Sequence, residues 1–473
     1  MTTLLKRLRA PLSCLLLLGL TTVAGAAVSP DEAAKLGKEL TPVGAIRAGN
    51  KDGSIPVYTG EKNFPEEAKR YTRAKLEELR KNNPDKLEDD FKKNVDPAAI
   101  NPLFEITKAN MAQYLDKLTE GQKAMLTKYP TYKIKVYKSV RTAYYPKEIE
   151  AATIANATTA TLTGTDDLKG AKLGFPFPIP KNGAEVIWNH KLKFRGSAAK
   201  RYNNQAIVKP DGSFVLTKLV EDVKFKYANL KTPPEPDNKL FAFYLSEVVA
   251  PPRVAGQITL VHEFAGTEGG GRAAWLYSPG LARVTRAPDV GYDNPALGTD
   301  NEQYNDQIDV FNGALDRFNW KLVGKKEVYI PYNSYQINSP KLKYKDILRP
   351  FHLNPEYPRY ELHRVWVVEA TLKPGLRHNF GKRIFYVDED SWCISSIDNY
   401  DGRGSLWKVQ EAHLLTAPFI PTTTGIPELI YDLQSNRYFA TTMVNEDAVT
   451  DFEVTYSDSY FDPSNLKRRA RGK

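Results

Sequence analysis

Residues 364–372 read RVWVVEATL, 382–390 KRIFYVDED, 393–401 CISSIDNYD and 406–415 LWKVQEAHLL. Each run has strand length and is rich in β-branched and aromatic residues. Several are joined by short Gly, Pro, Asn or Asp turns, too short for the crossover a parallel pair needs, so the strands return antiparallel. The signature extends upstream through 213–228 SFVLTKLVEDVKFKYA, 240–249 LFAFYLSEVV, 257–265 QITLVHEFA, 272–278 RAAWLYS and 318–332 FNWKLVGKKEVYIPY. Residues 186–196, VIWNHKLKFRG, read the same way, and Asp211-Gly212 signals a hairpin. No parallel βαβ rhythm and no fixed-period repeat interrupts the series.

The character differs before residue 130. Residues 65–81, PEEAKRYTRAKLEELRK, predict a helix, with Pro65 and Glu66-Glu67 at its start and Arg80 and Lys81 at its end. A second helical stretch is expected from Leu103 and a third over Glu120 to Lys128, before Pro130; Asp31 to Leu40 suits a short helix. Then Tyr132, Ile134 and Val136 alternate with Lys133 and Lys135, a half-buried strand. The fold class is therefore α+β. A large twisted antiparallel sheet with one polar face is expected, its other face covered by the helices of residues 65 to 128.

The chain ends carry most of the net charge. Lys6, Arg7 and Arg9 precede the apolar run Leu12 to Leu20, and Ala24-Gly25-Ala26 is a small-x-small cleavage site. Residues 1 to 26 thus read as a cleavable secretory signal, with a mature start near Ala27. The run is shorter than the ~20 apolar residues a membrane span needs. Pro11 and the following apolar run speak against lipidation at Cys14. The net charge of +10 includes three signal cations and Lys467, Arg468, Arg469, Arg471 and Lys473 of the tail, so the body between them is close to neutral. Nucleic-acid binding is not indicated. The tail reads as solvated, or as an electrostatic contact with anionic lipid or a partner. After cleavage only Cys393 remains; it forms no internal disulfide and reads as a small core residue. The organisation is a signal over 1–26, a mostly helical region over 27–130, an antiparallel β domain over 131–460 and a basic tail over 461–473.

A search for chemistry finds no Walker loop, since Gly269-Gly270-Gly271 lacks the following Lys-Ser/Thr, and no Gly-x-Ser-x-Gly elbow. The six histidines, His190, His262, His352, His363, His378 and His413, form no metal-binding pair at helical spacing. His262-Glu263 ends an apolar strand and reads as structural. The acidic loop Asp289 to Asp309, with Asp293, Asp300, Glu302 and Asp306, reads as solvated, with calcium as the sharper alternative. Glu369 shares a face with Val367 and Thr371, which suits the solvent side of a sheet. No catalytic, cofactor or metal residues are assigned. The six tryptophans, Trp188, Trp275, Trp320, Trp366, Trp392 and Trp407, all fall in strand-like runs. They can pack the core, line an apolar pocket or, if exposed, form a carbohydrate platform. The pocket candidates are Trp275, Tyr277, Trp320, Trp366 and Trp392.

Four segments carry a family resemblance: 110–137 NMAQYLDKLTEGQKAMLTKYPTYKIKVY, 272–300 RAAWLYSPGLARVTRAPDVGYDNPALGTD, 311–335 FNGALDRFNWKLVGKKEVYIPYNSY and 387–409 VDEDSWCISSIDNYDGRGSLWKV. In their order and wording they resemble the domain-of-unknown-function family 1329. That family resembles the lipoprotein-localisation carriers of the Gram-negative periplasm. The resemblance implies a curved antiparallel half-barrel with helices as a lid over an apolar cavity. It also implies company with resistance-nodulation-division-type transporters or an outer-membrane partner, and a location in the periplasm. It carries over no catalytic residues. The N-terminal region, 27 to 130, departs from the much shorter carriers.

The leading expectation is a periplasmic binding protein or carrier for a lipid-like or other hydrophobic ligand, working without chemistry or cofactor. The alternatives are an envelope hydrolase or carbohydrate-active protein using a carboxylate pair and an outer-membrane barrel, against which the helical N-terminal region and cationic tail both speak.

Overall fold

The computed structural model describes residues 28–232, 239–266, 271–287 and 292–471. The secretory signal and Ala27 lie outside the described residues, as does Asp289 of the acidic loop. The helices are α1 (Pro30–Ala33), α2 (Arg73–Asn82), α3 (Lys86–Asn94), α4 (Glu120–Lys128), α5 (Lys147–Thr159), α6 (Gly183–Lys191), α7 (Tyr344–Ile347) and α8 (Leu466–Arg471). The first strands are β1 (Phe104–Ile106), β2 (Ile134–Tyr137), β3 (Thr161–Thr163), β4 (Asp167–Lys169), β5 (Ala198–Val208), β6 (Phe214–Phe225), β7 (Leu240–Ala250), β8 (Ile258–Phe264) and β9 (Arg272–Ser278). Then come β10 (Arg283–Arg286), β11 (Phe318–Pro331), β12 (Tyr360–Leu372), β13 (Lys382–Asp388), β14 (Ile394–Tyr400), β15 (Leu406–Ala417), β16 (Thr422–Asp432) and β17 (Tyr438–Met443).

Fifteen strands make one sheet in the order β1-β2-β12-β13-β14-β15-β16-β17-β5-β6-β7-β8-β9-β10, with β11 lying along β12. Its pairings are antiparallel except for a short parallel contact of β2 with β12 at Tyr360 and Glu361. Among the described residues no pairing joins β10 back to the opposite edge, so the curved sheet stays an open half-barrel. The Asp211-Gly212 signal holds. Lys209 and Ser213 close the β5–β6 loop, and Gly212 takes φ +83°, which suits glycine.

Register places Val368, Phe385, Ile397, Gln410, Ile430 and Phe439 on one face. Ile384, Asp398, Val409, Tyr431, Tyr438 and Val208 lie on the other. The expectation of one polar face does not hold for the central strands, where most of these residues are buried. The first face packs under α6 and the segment 299–320. Phe311 and Trp320 meet Phe385 at ring-centroid distances of 5.3 and 5.4 Å. A Cβ on Gly183 would fall 2.7 Å from Val368 Cγ1, so glycine lets α6 approach this closely. The second face packs under α4. A Cβ on Gly121 would fall 2.4 Å from Asp398 Oδ1 and 2.6 Å from Val409 Cγ1. Asp398 accepts from the Glu120 and Gly121 amides at 3.1 and 2.9 Å, capping α4 from the sheet itself.

Three local expectations are corrected. Residues 186–191 belong to helix α6, so Trp188 is helical. Trp188, His190, Leu192 and Phe194 alternate with Asn189, Lys191 and Lys193, which mimics a strand, but α6 is buried all round and its polar groups are met by distant chain. Asn189 bonds the Phe177 backbone at 2.9 and 2.8 Å, and Lys191 reaches Gly313 O at 2.5 Å. Asn182 caps its start through the Glu185 amide at 3.0 Å. The stretch after Leu103 is strand β1, held by β2, followed by a 3-10 turn over Met111–Lys117. Helix 65–81 shortens to Arg73–Asn82 after a 3-10 turn at Ala68–Arg70, because Thr72 caps the Lys75 amide at 3.2 Å.

Phe385→Ala empties the centre of the aromatic layer under α6. The expected loss is about 3–5 kcal/mol, read as a lower urea midpoint with an unchanged slope.

Candidate functional site

Over β5, β6 and β7 the cover on the α4 face runs out. Alternation sends Lys200 and Tyr202 of β5, Val220 and Asp222 of β6, and Leu245, Glu247 and Val249 of β7 to this face. They line a cleft of about 730 Å³ closed at its sides by Ala448, Val449 and Asp451, by Arg73, and by Arg468 and Arg469 of α8. Arg201 contributes at its edge, but its side chain belongs to the other face, where its Nε donates to Glu221 at 2.7 Å. The cleft exists because β17 leaves the sheet. The Asn203 side-chain oxygen accepts from the Thr442 amide at 2.7 Å, Thr442 takes φ +58°, and the β17–β5 register breaks between Ala440 and Met443. The departing chain returns at Asp451, which exchanges two 2.8 Å backbone hydrogen bonds with Lys200.

A second cleft of about 340 Å³ adjoins the first across Arg73. It is mostly apolar, walled by Leu76, Phe194, Leu230, Phe419, Ile420 and Phe452 among others. The shared wall is held by Arg73, whose Nη1 donates to Asp451 at 2.5 Å and whose amide donates to Glu453 at 2.8 Å.

The C-terminal segment closes the far side. The tail expected to be solvated is docked in its apolar part, where Phe461 and Leu466 are buried against Phe243, Leu245 and Leu260, while Lys467 and Arg468 stay exposed and Lys473 lies outside the described residues. Phe461 stacks on Phe243 at 5.0 Å, and His262 Nε2 hydrogen-bonds Phe461 O at 2.9 Å, which is the structural role expected of that histidine. Asp222 fastens the strap, accepting from Tyr456, Tyr460 and Arg469 at 2.6, 2.5 and 3.0 Å. With three donors on it, this carboxylate is an anchor, not a general base.

The five aromatic pocket candidates do not meet in one place, and neither cleft is lined by them. Trp275 and Tyr277 lie in the apolar cluster under the strap, whose member Leu245 also lines the larger cleft. Trp320, Trp366 and Trp392 belong to the core on the other side. Trp392 occupies the β13–β14 turn at φ +55° and not a strand, stacks on Trp366 at 6.1 Å and donates its indole N–H to Val43 O at 2.9 Å. Cys393 is buried, its thiol pushed up to about 12 by desolvation. Glu369 is half-buried.

The acidic loop is corrected too: its described acids are largely engaged by cations. Asp306 meets Arg383 and His378, Asp293 meets Arg317, Asp300 and Glu302 meet Arg437, and Asp309 meets Lys193 and Arg195. His190 accepts from the Ile394 amide at 3.0 Å and bonds Asp309 O at 2.9 Å, and burial lowers its pKa to about 3, so it stays neutral.

A denser network sits at the β13–β14 turn. Arg141 forks onto Asp390 at 2.8 and 2.6 Å and reaches Glu389 at 3.3 Å. It also donates to the carbonyls of Ile46, Arg47 and Pro56, tying the N-terminal segment to the sheet. Within it, His363, Asp388 and Asp390 offer ligand atoms all within 4.8 Å of one another. A cation there would compete with Arg141 for Asp390, while His363 already meets Glu361 at 3.2 Å and Ser391 donates to Asp388. The arrangement suits a buried ion-pair lock. Sequence reading missed it, because its members lie up to 249 positions apart.

Residues 105–467 match the family described as "protein of unknown function (DUF1329)". The chain belongs to this family. The chain is 46% identical to "Uncharacterized protein PA3922" of Pseudomonas aeruginosa over 454 residues, covering 95% of each. Among solved structures it is similar to a DUF1329 family protein from Desulfovibrio piger, with 16% identity, a TM-score of 0.42 and coverage of 60% of this chain and 97% of that one. It is also similar to a putative outer membrane lipoprotein-sorting protein domain from Vibrio parahaemolyticus, with 14% identity, a TM-score of 0.42 and coverage of 60% and 98%.

Two outcomes follow from these contacts. Burial raises the Glu411 carboxyl to about 7, against Tyr360 at 2.9 Å. The folded chain keeps a proton that the unfolded chain releases near ~4.3, so stability is fullest below that value and falls as pH rises towards 7. In Glu411→Gln that decline is reduced by an amount on the order of 2–3 kcal/mol, measured as the variant-minus-wild-type unfolding free energy across pH 4 to 8. Asp222→Ala removes the anchor on which Tyr456, Tyr460 and Arg469 of the strap converge. Tryptic cleavage after Lys467, Arg468 and Arg469 is expected to quicken about tenfold, followed by mass spectrometry under native conditions.

Proposed function

We propose that the protein is a periplasmic carrier or binding protein for a lipid-like ligand, held in the paired clefts beside β5–β7 without covalent chemistry. One observation carries this reading: a solvent-open cleft with an apolar floor of Val220, Leu245 and Val249 adjoins a second, mostly apolar one across the wall that Arg73 forms. Val249 keeps 37% of its surface exposed there, and apolar side chains beside open water favour an apolar occupant. Both volumes fall within the ~300–1,000 Å³ usual for small-molecule sites.

The energetics suit a carrier. Burying about ten methylenes at ~0.8 kcal/mol each gives roughly micromolar affinity, tight enough to load and weak enough to release. Release follows when an acceptor offers a drier site; a resistance-nodulation-division-type transporter or an outer-membrane partner is the proposed acceptor. The secretory signal read from residues 1–26 supports the periplasmic location. The open half-barrel and the family membership agree with this reading.

Native mass spectrometry of protein purified from envelope extracts is expected to reveal one co-purifying lipid per chain. Val220→Trp, which fills the cleft floor, should reduce that occupancy without lowering the urea midpoint. Protein that is empty, and that takes up neither a fluorescent fatty acid nor a neutral fluorescent lipid, would refute the proposal.

A further inference from the structure

The charges of the larger cleft are unevenly matched. Besides Arg201, which is paired with Glu221 on the other face, four cationic residues, Arg73, Lys200, Arg468 and Arg469, line it with three acids, Asp222, Glu247 and Asp451. Arg73 is consumed by Asp451 and Arg469 by Asp222. Glu247 is also engaged. Lys200 and Arg468 are exposed, and among the described residues no ion pair involves either side chain. Arg469 Nη1 is buried without a hydrogen-bond partner, beside the same cleft. The cations left without an ion pair and the orphaned Arg469 nitrogen come from two elements, β5 and α8, which meet at this cleft: Lys200 lies cross-strand from Asp222, the carboxylate that holds Arg469.

Resting on the carrier reading, we propose that the occupant is a single-chain amphiphile with an anionic head. Its head lies between Lys200 and Arg468, within reach of Arg469 Nη1, and its chain crosses the apolar floor towards the second cleft. The chemistry at each end calls for this polarity. An anion supplies the acceptors that Arg468, Lys200 and the orphaned Arg469 nitrogen lack. A cationic head would meet unpaired like charge. A neutral head would gain the floor but leave the cations unmatched. The strap thereby has a second role: docking α8 with Phe461 and Leu466 brings Arg468 and Arg469 to the cleft wall.

The test compares three probes of equal chain length, below their aggregation concentrations: dodecanoate, monododecanoylglycerol and dodecyltrimethylammonium. Binding to the purified protein is measured by calorimetry and native mass spectrometry. Dodecanoate is expected to bind one per chain and about tenfold tighter than the neutral probe, with the cationic probe weakest, and only dodecanoate should weaken as salt rises. Lys200→Gln combined with Arg468→Gln is expected to weaken dodecanoate roughly five-fold and to leave the neutral probe unchanged. Both side chains are exposed and unpaired, so an unchanged urea midpoint is expected and verifies folding. Equal binding of dodecanoate and the neutral probe, unaffected by the double variant, overturns the headgroup assignment while the carrier reading stands. Failure of all three probes to bind overturns both.

Discussion

A pleated strand sends successive side chains to opposite faces, so a single fifteen-stranded sheet must cover two faces with one chain. The central strands β12 to β15 solve this fully. Helix α6 and the segment 299–320 close one side, and α4 closes the other. Gly183 and Gly121 allow the helices to approach within side-chain contact of Val368 and Val409. The covering elements are spent on the centre. Towards β5–β7 the α4 face is left to the departing end of β17 and the C-terminal strap, and the clefts lie where these two fail to meet.

The covering segments are also held by charge. Arg141 is almost fully buried, and its guanidinium is met by Asp390, Glu389 and three backbone carbonyls. Asp309 draws Lys193 and Arg195 onto the loop under the sheet, and Asp306 draws Arg383 and His378. Buried ion pairs add little net stability compared with apolar packing, but breaking one is costly, because the survivor is left unpaired. They therefore act as registration pins. Each specifies which distant segment covers which part of the sheet. The Asp222 anchor does the same for the strap, with two phenols and Arg469 converging on one carboxylate.

This division gives the molecule a rigid part and an adaptable part. The twofold-buried centre has packed aromatic layers on both sides. The strap has a short helix, a handful of buried apolar residues, the Asp222 anchor and the exposed ion pairs of Asp458 with Lys224 and Lys226, so it has less to lose on opening than the centre of the sheet.

The sequence by itself determined the antiparallel sheet. Runs such as 364–372 and 382–390, with short connections, carry that information locally, and β12 and β13 lie where the pattern puts them. It also determined α4, whose cap Thr119 and closing Lys128 are local signals, and the family, through long ordered segments. Helix α6 was hidden, because a helix buried all round has no polar face; its Asn189 is satisfied by the Phe177 backbone just upstream, and its His190 and Lys191 by residues far along the chain. The tail read as solvated on charge alone, although Tyr456, Tyr460, Phe461 and Leu466 before and within the basic run were an apolar signal for docking. The candidate site was not legible at all. Its walls come from residues 73, 200–202, 220–249 and 448–469, and its existence depends on where β17 breaks register. Periodicity reports which face of an element is apolar; which element arrives to cover that face, and where none does, is decided only when distant segments compete for the same surface in three dimensions.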